Sequence, residues 1–191
     1  MPGDLPPKIL QIFAAYLAEP LTDIINTGLL RGEYPEIYKF EYVTPVAKVY
    51  PCESVEQLRN ISGLLQYDQV MESLISELII SDMKQHKDPS QFGNEKKTSV
   101  QHYLIKMIHR ILTSVDQNSV KQKLAVIATM IDWKSAFPRQ CHKLGIQSFI
   151  RNGVRPALIP ILINYFQDRK MTVKFHNCTS DPKPLNGGGP Q

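Results

Sequence analysis

Asp132 is the residue whose setting most suggests chemistry. It closes the run Leu124-Ala125-Val126-Ile127-Ala128-Thr129-Met130-Ile131 and shares parity with Leu124, Val126, Ala128 and Met130. A run apolar on both parities is the pattern of a strand covered on both faces. A carboxylate at the end of such a strand is held at a cleft edge, where a metal ion would offset its desolvation. The same aspartate could instead cap the following turn, and residue type alone does not choose between the two. Other reactive groups have less support. Cys141-His142 and His176-x-Cys178 lack zinc-finger spacing, and Gly187-Gly188-Gly189 lacks the Lys-Ser/Thr of a phosphate-binding loop. No Ser/His/Asp or Cys/His nucleophile motif has supporting context.

The elements that must position Asp132 follow from hydrophobic period. After Pro6-Pro7, Lys8 to Ala18 reads as a helix with Ile9, Ile12, Phe13 and Tyr16 on one side. Pro20 is expected to open a second helix, ended by Gly32 and Pro35. Glu41 to Val49 reads as a strand in which Pro45 argues for an edge position, with Ile61 to Leu65 as its partner. Asp68 to Met83 and the stretch from Thr98 or Ser99 to Val115 read as helices, the second with a buried stripe of Val100, Leu104, Ile108, Ile111 and Leu112. Residues 86–98 between them read as a loop. Gln140 to Arg151 and Pro156 to Asp168 read as helices parted by Asn152-Gly153, and Met171 to Phe175 as a strand. The class is α/β or α+β, with helices dominating the first part.

Composition sets the frame. The 191 residues, 42% hydrophobic and 21% charged, suit one domain or two small lobes and exclude wholesale disorder. The net charge of +4 is uneven: residues 1–60 carry five basic and eight acidic groups, leaving 17 basic and 10 acidic beyond. That asymmetry permits a polyanion partner, although a solvated surface is the plainer explanation. The longest apolar run, Ala157 to Phe166, is interrupted by Pro160 and Asn164 and falls short of a membrane span. Three cysteines and an N-terminus without a leader pattern point to a reducing, intracellular setting, cytoplasmic or nuclear, and away from secretion.

Ordered along the chain, several short blocks resemble the reverse transcriptase domain of non-LTR retrotransposons. Ile131-Asp132-Trp133-Lys134-Ser135-Ala136-Phe137 is similar to that family's aspartate motif. Upstream, Gly32-Glu33-Tyr34-Pro35-Glu36-Ile37-Tyr38-Lys39 with Val43-Thr44-Pro45-Val46-Ala47-Lys48 resembles a fingers motif, and Leu58-Arg59-Asn60-Ile61-Ser62 resembles the next. Ser90-Gln91-Phe92-Gly93-Asn94 and the helix after it resemble a third block, and Gly189-Pro190-Gln191 the start of the glutamine motif.

The resemblance implies an α+β right-hand polymerase architecture, with a fingers-like region over 1–120 and an incomplete palm over 121–191. It implies RNA-templated DNA synthesis, in which a primer 3′-hydroxyl attacks the α-phosphate of a deoxynucleoside triphosphate and pyrophosphate leaves. Two Mg²⁺ ions roughly 3.5–4 Å apart assist that displacement in such enzymes. Asp132 would be a catalytic metal ligand. Lys48 and Arg59 would hold the triphosphate, Phe137 would lie under the sugar and exclude a 2′-hydroxyl, and Gln191 would sit against the nucleotide. Lys96, Lys97, Lys106 and Arg110, with Lys84 and Lys87 nearby, would track the RNA template and DNA primer. For Lys48, Arg59 and Phe137 taken singly, a solvated or packing role is the plainer alternative, and Lys96 and Lys97 could equally be solvating residues.

Departures matter too. Pro138 stands where the family has a second aspartate, Asn60 where it has a proline, and Asn94 where it is usually basic. No Asp-Asp pair occurs in the sequence, and that pair is the family's other metal-binding motif. The thumb region also has no counterpart. The expectation is a piece cut within the palm, inactive alone and poorly soluble. The alternative is a non-catalytic nucleic-acid-binding or protein-interaction module derived from such an element; an unrelated helical adaptor is a third reading.

Overall fold

A computed structural model of the chain describes residues 6–116, 126–133, 136–137 and 139–189. They fall into two units: 1–85 with 135–191, and 86–134.

The first unit begins with α1 (Pro7–Arg31), which runs unbroken through Pro20. The expected break at Pro20 does not occur. A proline removes one N–H and crowds the preceding turn, but Tyr16, whose carbonyl loses its partner, is 80% exposed and open to water. At the other end Gly32 adopts φ 66°, and its N–H donates to the Gly28 carbonyl. This left-handed cap is the one expected from the sequence.

After a 3-10 turn at Glu36–Lys39 comes β1 (Phe40–Ala47), which pairs antiparallel with β2 (Leu58–Gly63). Helix α2 (Gln66–Met83) follows. Beyond the second unit the first resumes with α4 (His142–Arg151), a 3-10 turn at Pro156–Leu158, and α5 (Ile159–Phe166). Three strands close it: β3 (Lys170–Phe175), β4 (Cys178–Thr179) and β5 (Lys183–Pro184). The helix α3 of the second unit is Val100–Asp116.

The sheet order is β2-β1-β3-β4, with β5 also paired to β3. β1 is parallel to β3 from Phe40↔Lys170 to Val43↔Val173. Pro45 lies beyond that stretch, opposite Asn60 of β2. The strand is therefore interior along 40–43 and an edge on the β3 side at Pro45, where a missing donor costs no ladder bond. The core joins Ile25 of α1, Met71 and Ile75 of α2, and Ile161 and Leu162 of α5. Ile161 is wholly buried. Burying a side chain of this size stabilises by about 1.5–3 kcal/mol. The mixed helix and sheet content fits an α+β class.

In the second unit α3 forms where its period places it. Ser99 accepts at its hydroxyl from the His102 N–H at 3.5 Å. The buried stripe expected on α3 is not buried: Val100, Leu104, Ile108 and Leu112 are all exposed. Nor do residues 126–133 form the covered strand expected from Leu124 to Ile131. Ile127, Met130 and Trp133 stay 85%, 87% and 77% exposed. A strand apolar on both faces needs two neighbours for its backbone and a layer on each side. Among the described residues no strand pairs with this segment.

Candidate active site

Two of the expected triphosphate-binding residues meet on the first unit. Val46 of β1 stands opposite Arg59 of β2, and Ala47 opposite Leu58. The Lys48 N–H continues the ribbon by donating to the Gln57 carbonyl at 2.8 Å. Residues directly opposite share a face, and faces alternate along a strand. Lys48, two residues past Val46, therefore lies on the same face as Arg59, on a diagonal. Both are exposed. Lys48 Nζ donates to the Glu56 carbonyl at 3.3 Å, which holds the ammonium at the mouth of the ribbon. Two cations on one face at a strand end can grip a polyphosphate, Lys as a point charge and Arg as a fork.

Asp132 belongs to the second unit and is exposed, in a segment without regular structure. Phe137 belongs to the first, in a turn where its carbonyl accepts from the Gln140 N–H at 3.2 Å, and is half exposed. Gln191 lies outside the described residues, as do Lys134 and Pro138 of the aspartate motif. Among the described residues no group of three or more His, Cys, Asp or Glu could hold a metal ion. The side chains described here thus do not fit a complete two-ion site, and Asp132 stands as one carboxylate.

The basic residues of the second unit divide by role. Lys96 and Lys97 are exposed on the loop, Lys97 with φ 64°. Arg110 is exposed on α3, one turn from Lys106. Lys106 is engaged: its Nζ donates to the Pro89 carbonyl at 3.0 Å and lies 5.2 Å from the centre of the Phe92 ring. Tyr103 meets Phe92 edge-on at 5.9 Å. Thr98 donates its hydroxyl to the Phe92 carbonyl at 2.6 Å, which ties the end of loop 86–98 back to its middle. Lys106 thereby shapes the loop that displays Lys96 and Lys97. A cleft of about 260 Å³ opens between Phe92, Tyr103, Arg110 and residues 126–130.

One constellation of ionisable groups was not expected from the sequence. Asp68, in the first turn of α2, is 1% exposed and accepts a hydrogen bond from the Tyr34 hydroxyl. Burial pushes its carboxyl up to about 6, although the bond from Tyr34 opposes that rise. Burial also raises Tyr34 far above the ordinary phenol range, which keeps it a donor. Tyr165 donates to Glu72 at 2.5 Å, and the Arg169 guanidinium stacks 4.4 Å from the Tyr165 ring centre. Arg169 and Glu41, both buried, stand 3.9 Å apart. Burial raises Glu41 as well, with Arg169 acting against it. In sequence, Asp68 reads as an ordinary residue of a helix's first turn, and Arg169 as one charge in Asp168-Arg169-Lys170. No local signal marks either as interior.

No family model matches the chain. Among curated proteins it is similar to the probable RNA-directed DNA polymerase from transposon BS of Drosophila melanogaster, 27% identical over 172 residues, 88% of this chain. It is also similar to the probable RNA-directed DNA polymerase from transposon X-element of the same species, 26% identical over 174 residues, 90% of this chain. The chain spans 18% of the length of each. The reverse transcriptase resemblance carried by the ordered motifs is thus matched along most of the chain.

Proposed function

We propose that this chain is the fingers region and first part of the palm of a retrotransposon reverse transcriptase, with 1–120 the fingers-like region and 121–191 the palm portion. The observation that carries the reading is similarity to two transposon RNA-directed DNA polymerases over about nine-tenths of the chain. The shared face of Lys48 and Arg59 supports it from the structure. In this reading the pair clamps the triphosphate of an incoming deoxynucleotide, and Phe137 and Gln191 bear on its sugar and base. Lys96, Lys97 and Arg110 follow the nucleic-acid backbone, and Lys106 holds the loop that displays the two lysines. The setting is cytoplasmic or nuclear. No described helix is long and apolar enough to cross a membrane.

Asp132 would be one ligand of the Mg²⁺ ions that such an activity uses. No Asp-Asp pair occurs in the sequence, and no metal-holding cluster occurs among the described residues. A second reading for the chain by itself is a module that binds nucleic acid without catalysis, which the exposed Lys96, Lys97 and Arg110 support.

Titration of the chain with single-stranded RNA at several salt concentrations tests both. Binding should weaken as salt rises, and replacing Lys96 and Lys97 by Ala should lower the slope by about one per lost phosphate contact. No primer extension should accompany it. Absence of RNA binding at low salt would contradict both readings.

A further inference from the structure

The buried polar cluster of the first unit has more negative than positive charge. Asp68 and Glu72 come from α2 and Glu41 from β1; the one guanidinium facing them is that of Arg169, just before β3. Tyr34 and Tyr38, from the connection between α1 and β1, and Tyr165 of α5 complete the surroundings. Three carboxylates share one cation in a region where Asp68 and Arg169 are each 1% exposed. Asp68 Oδ1 accepts from Tyr34, but Asp68 Oδ2 and Glu41 Oε2 are buried with no hydrogen-bond partner. A carboxylate oxygen in that position costs more while charged than once protonated.

We propose that this cluster is a proton-operated packing device: Asp68 takes one proton from solvent, and its neutral form holds α2 more firmly against Tyr34 and β1 than its charged form does. Uptake converts the carboxylate to a carboxylic acid, with the new O–H on the orphaned Oδ2, and leaves Tyr34 donating to Oδ1. The cluster then holds two carboxylates against one guanidinium. The raised position of Asp68, about 6 against an ordinary 3.8, gives the direction. The folded chain binds the proton more tightly than the unfolded one, so stability rises as pH falls through about 6 and levels off near the unfolded value. Glu41, also raised, acts in the same direction, with Arg169 restraining it. This inference is independent of the polymerase reading.

Two measurements on the 191-residue chain test it. The carboxyl carbon shift of Asp68, followed by NMR against pH, should titrate near 6 and not near 3.8. The urea midpoint should rise from about pH 7.5 to about pH 5 in the wild type, and Asp68→Asn should lose most of this rise. Glu41→Gln should retain it. Titration of Asp68 near its ordinary value, survival of the full rise in Asp68→Asn, or its loss in Glu41→Gln alone would each overturn the proposal. Should Asp68→Asn fail to fold, the direct titration of the wild type decides.

Discussion

Lys48 and Arg59 share one face of the β1–β2 ribbon, on the diagonal set by Val46 opposite Arg59. Eleven positions apart in sequence, they are brought together because β1 and β2 are antiparallel neighbours, with the intervening polar stretch folded back between them. A triphosphate laid on that face meets both cations at once. Lys48→Ala and Arg59→Ala should each weaken deoxynucleoside triphosphate binding by about tenfold, the lower end of what a charged hydrogen bond contributes. Both side chains are exposed, so stability should change by no more than about 0.5 kcal/mol. Equilibrium titration and urea melts on the same variants separate the two effects.

Gly32 is a second point of close approach. Its φ of 66° disfavours any side chain, and a Cβ there would stand 2.5 Å from the Pro160 Cβ at the start of α5. Gly32→Ala should therefore destabilise by more than the roughly 1 kcal/mol of the left-handed conformation alone. A thermal melt reads it. The neighbouring Gly28→Ala should also be costly, since its Cβ would meet the Glu33 carbonyl at 2.8 Å.

Arg169 and Glu41 should show strong coupling. Arg169→Met leaves Glu41 in the interior without its cation, which typically costs about 3–5 kcal/mol. Arg169→Met with Glu41→Gln removes the uncompensated charge and should recover part of that loss. A double-mutant cycle by urea denaturation measures the recovery; strict additivity would contradict a direct charge interaction.

Asp82 should respond to acid in the sense opposite to Asp68. The Arg155 side chain and its N–H both donate to Asp82, which lowers the carboxyl to about 2. Its contribution is present above the ordinary 3.8 and lost as pH falls through about 2. Asp82→Asn should lower the melting temperature at neutral pH and remove that acid-side loss, which a pH series of melts would reveal.

Local signals in the sequence were enough for elements with a clean period and clear ends. The α2 and α4 helices, the Gly32 cap and the β1–β2 pairing all follow from apolar spacing and turn residues near at hand. Pro20 misled, because whether a proline breaks a helix depends on what can satisfy the freed carbonyl, and an exposed helix side lets water do so. The run ending at Ile131 misled for a tertiary reason: periodicity reports a need for covering layers without supplying them. Lys48 and Arg59 were legible as candidates, but their shared face required the register. The Asp68–Arg169 region was invisible, since burial of a charge is fixed by elements distant in sequence.

The most direct test of the polymerase account is primer extension on an RNA template by a polypeptide joining this chain to the remaining length of the transposon BS relative, with and without Asp132→Ala. The account predicts extension by the parent and a loss of at least about 10²-fold in Asp132→Ala, the scale on which removing a group that stabilises transition-state charge is felt. Extension undiminished in Asp132→Ala would contradict the role assigned to that carboxylate.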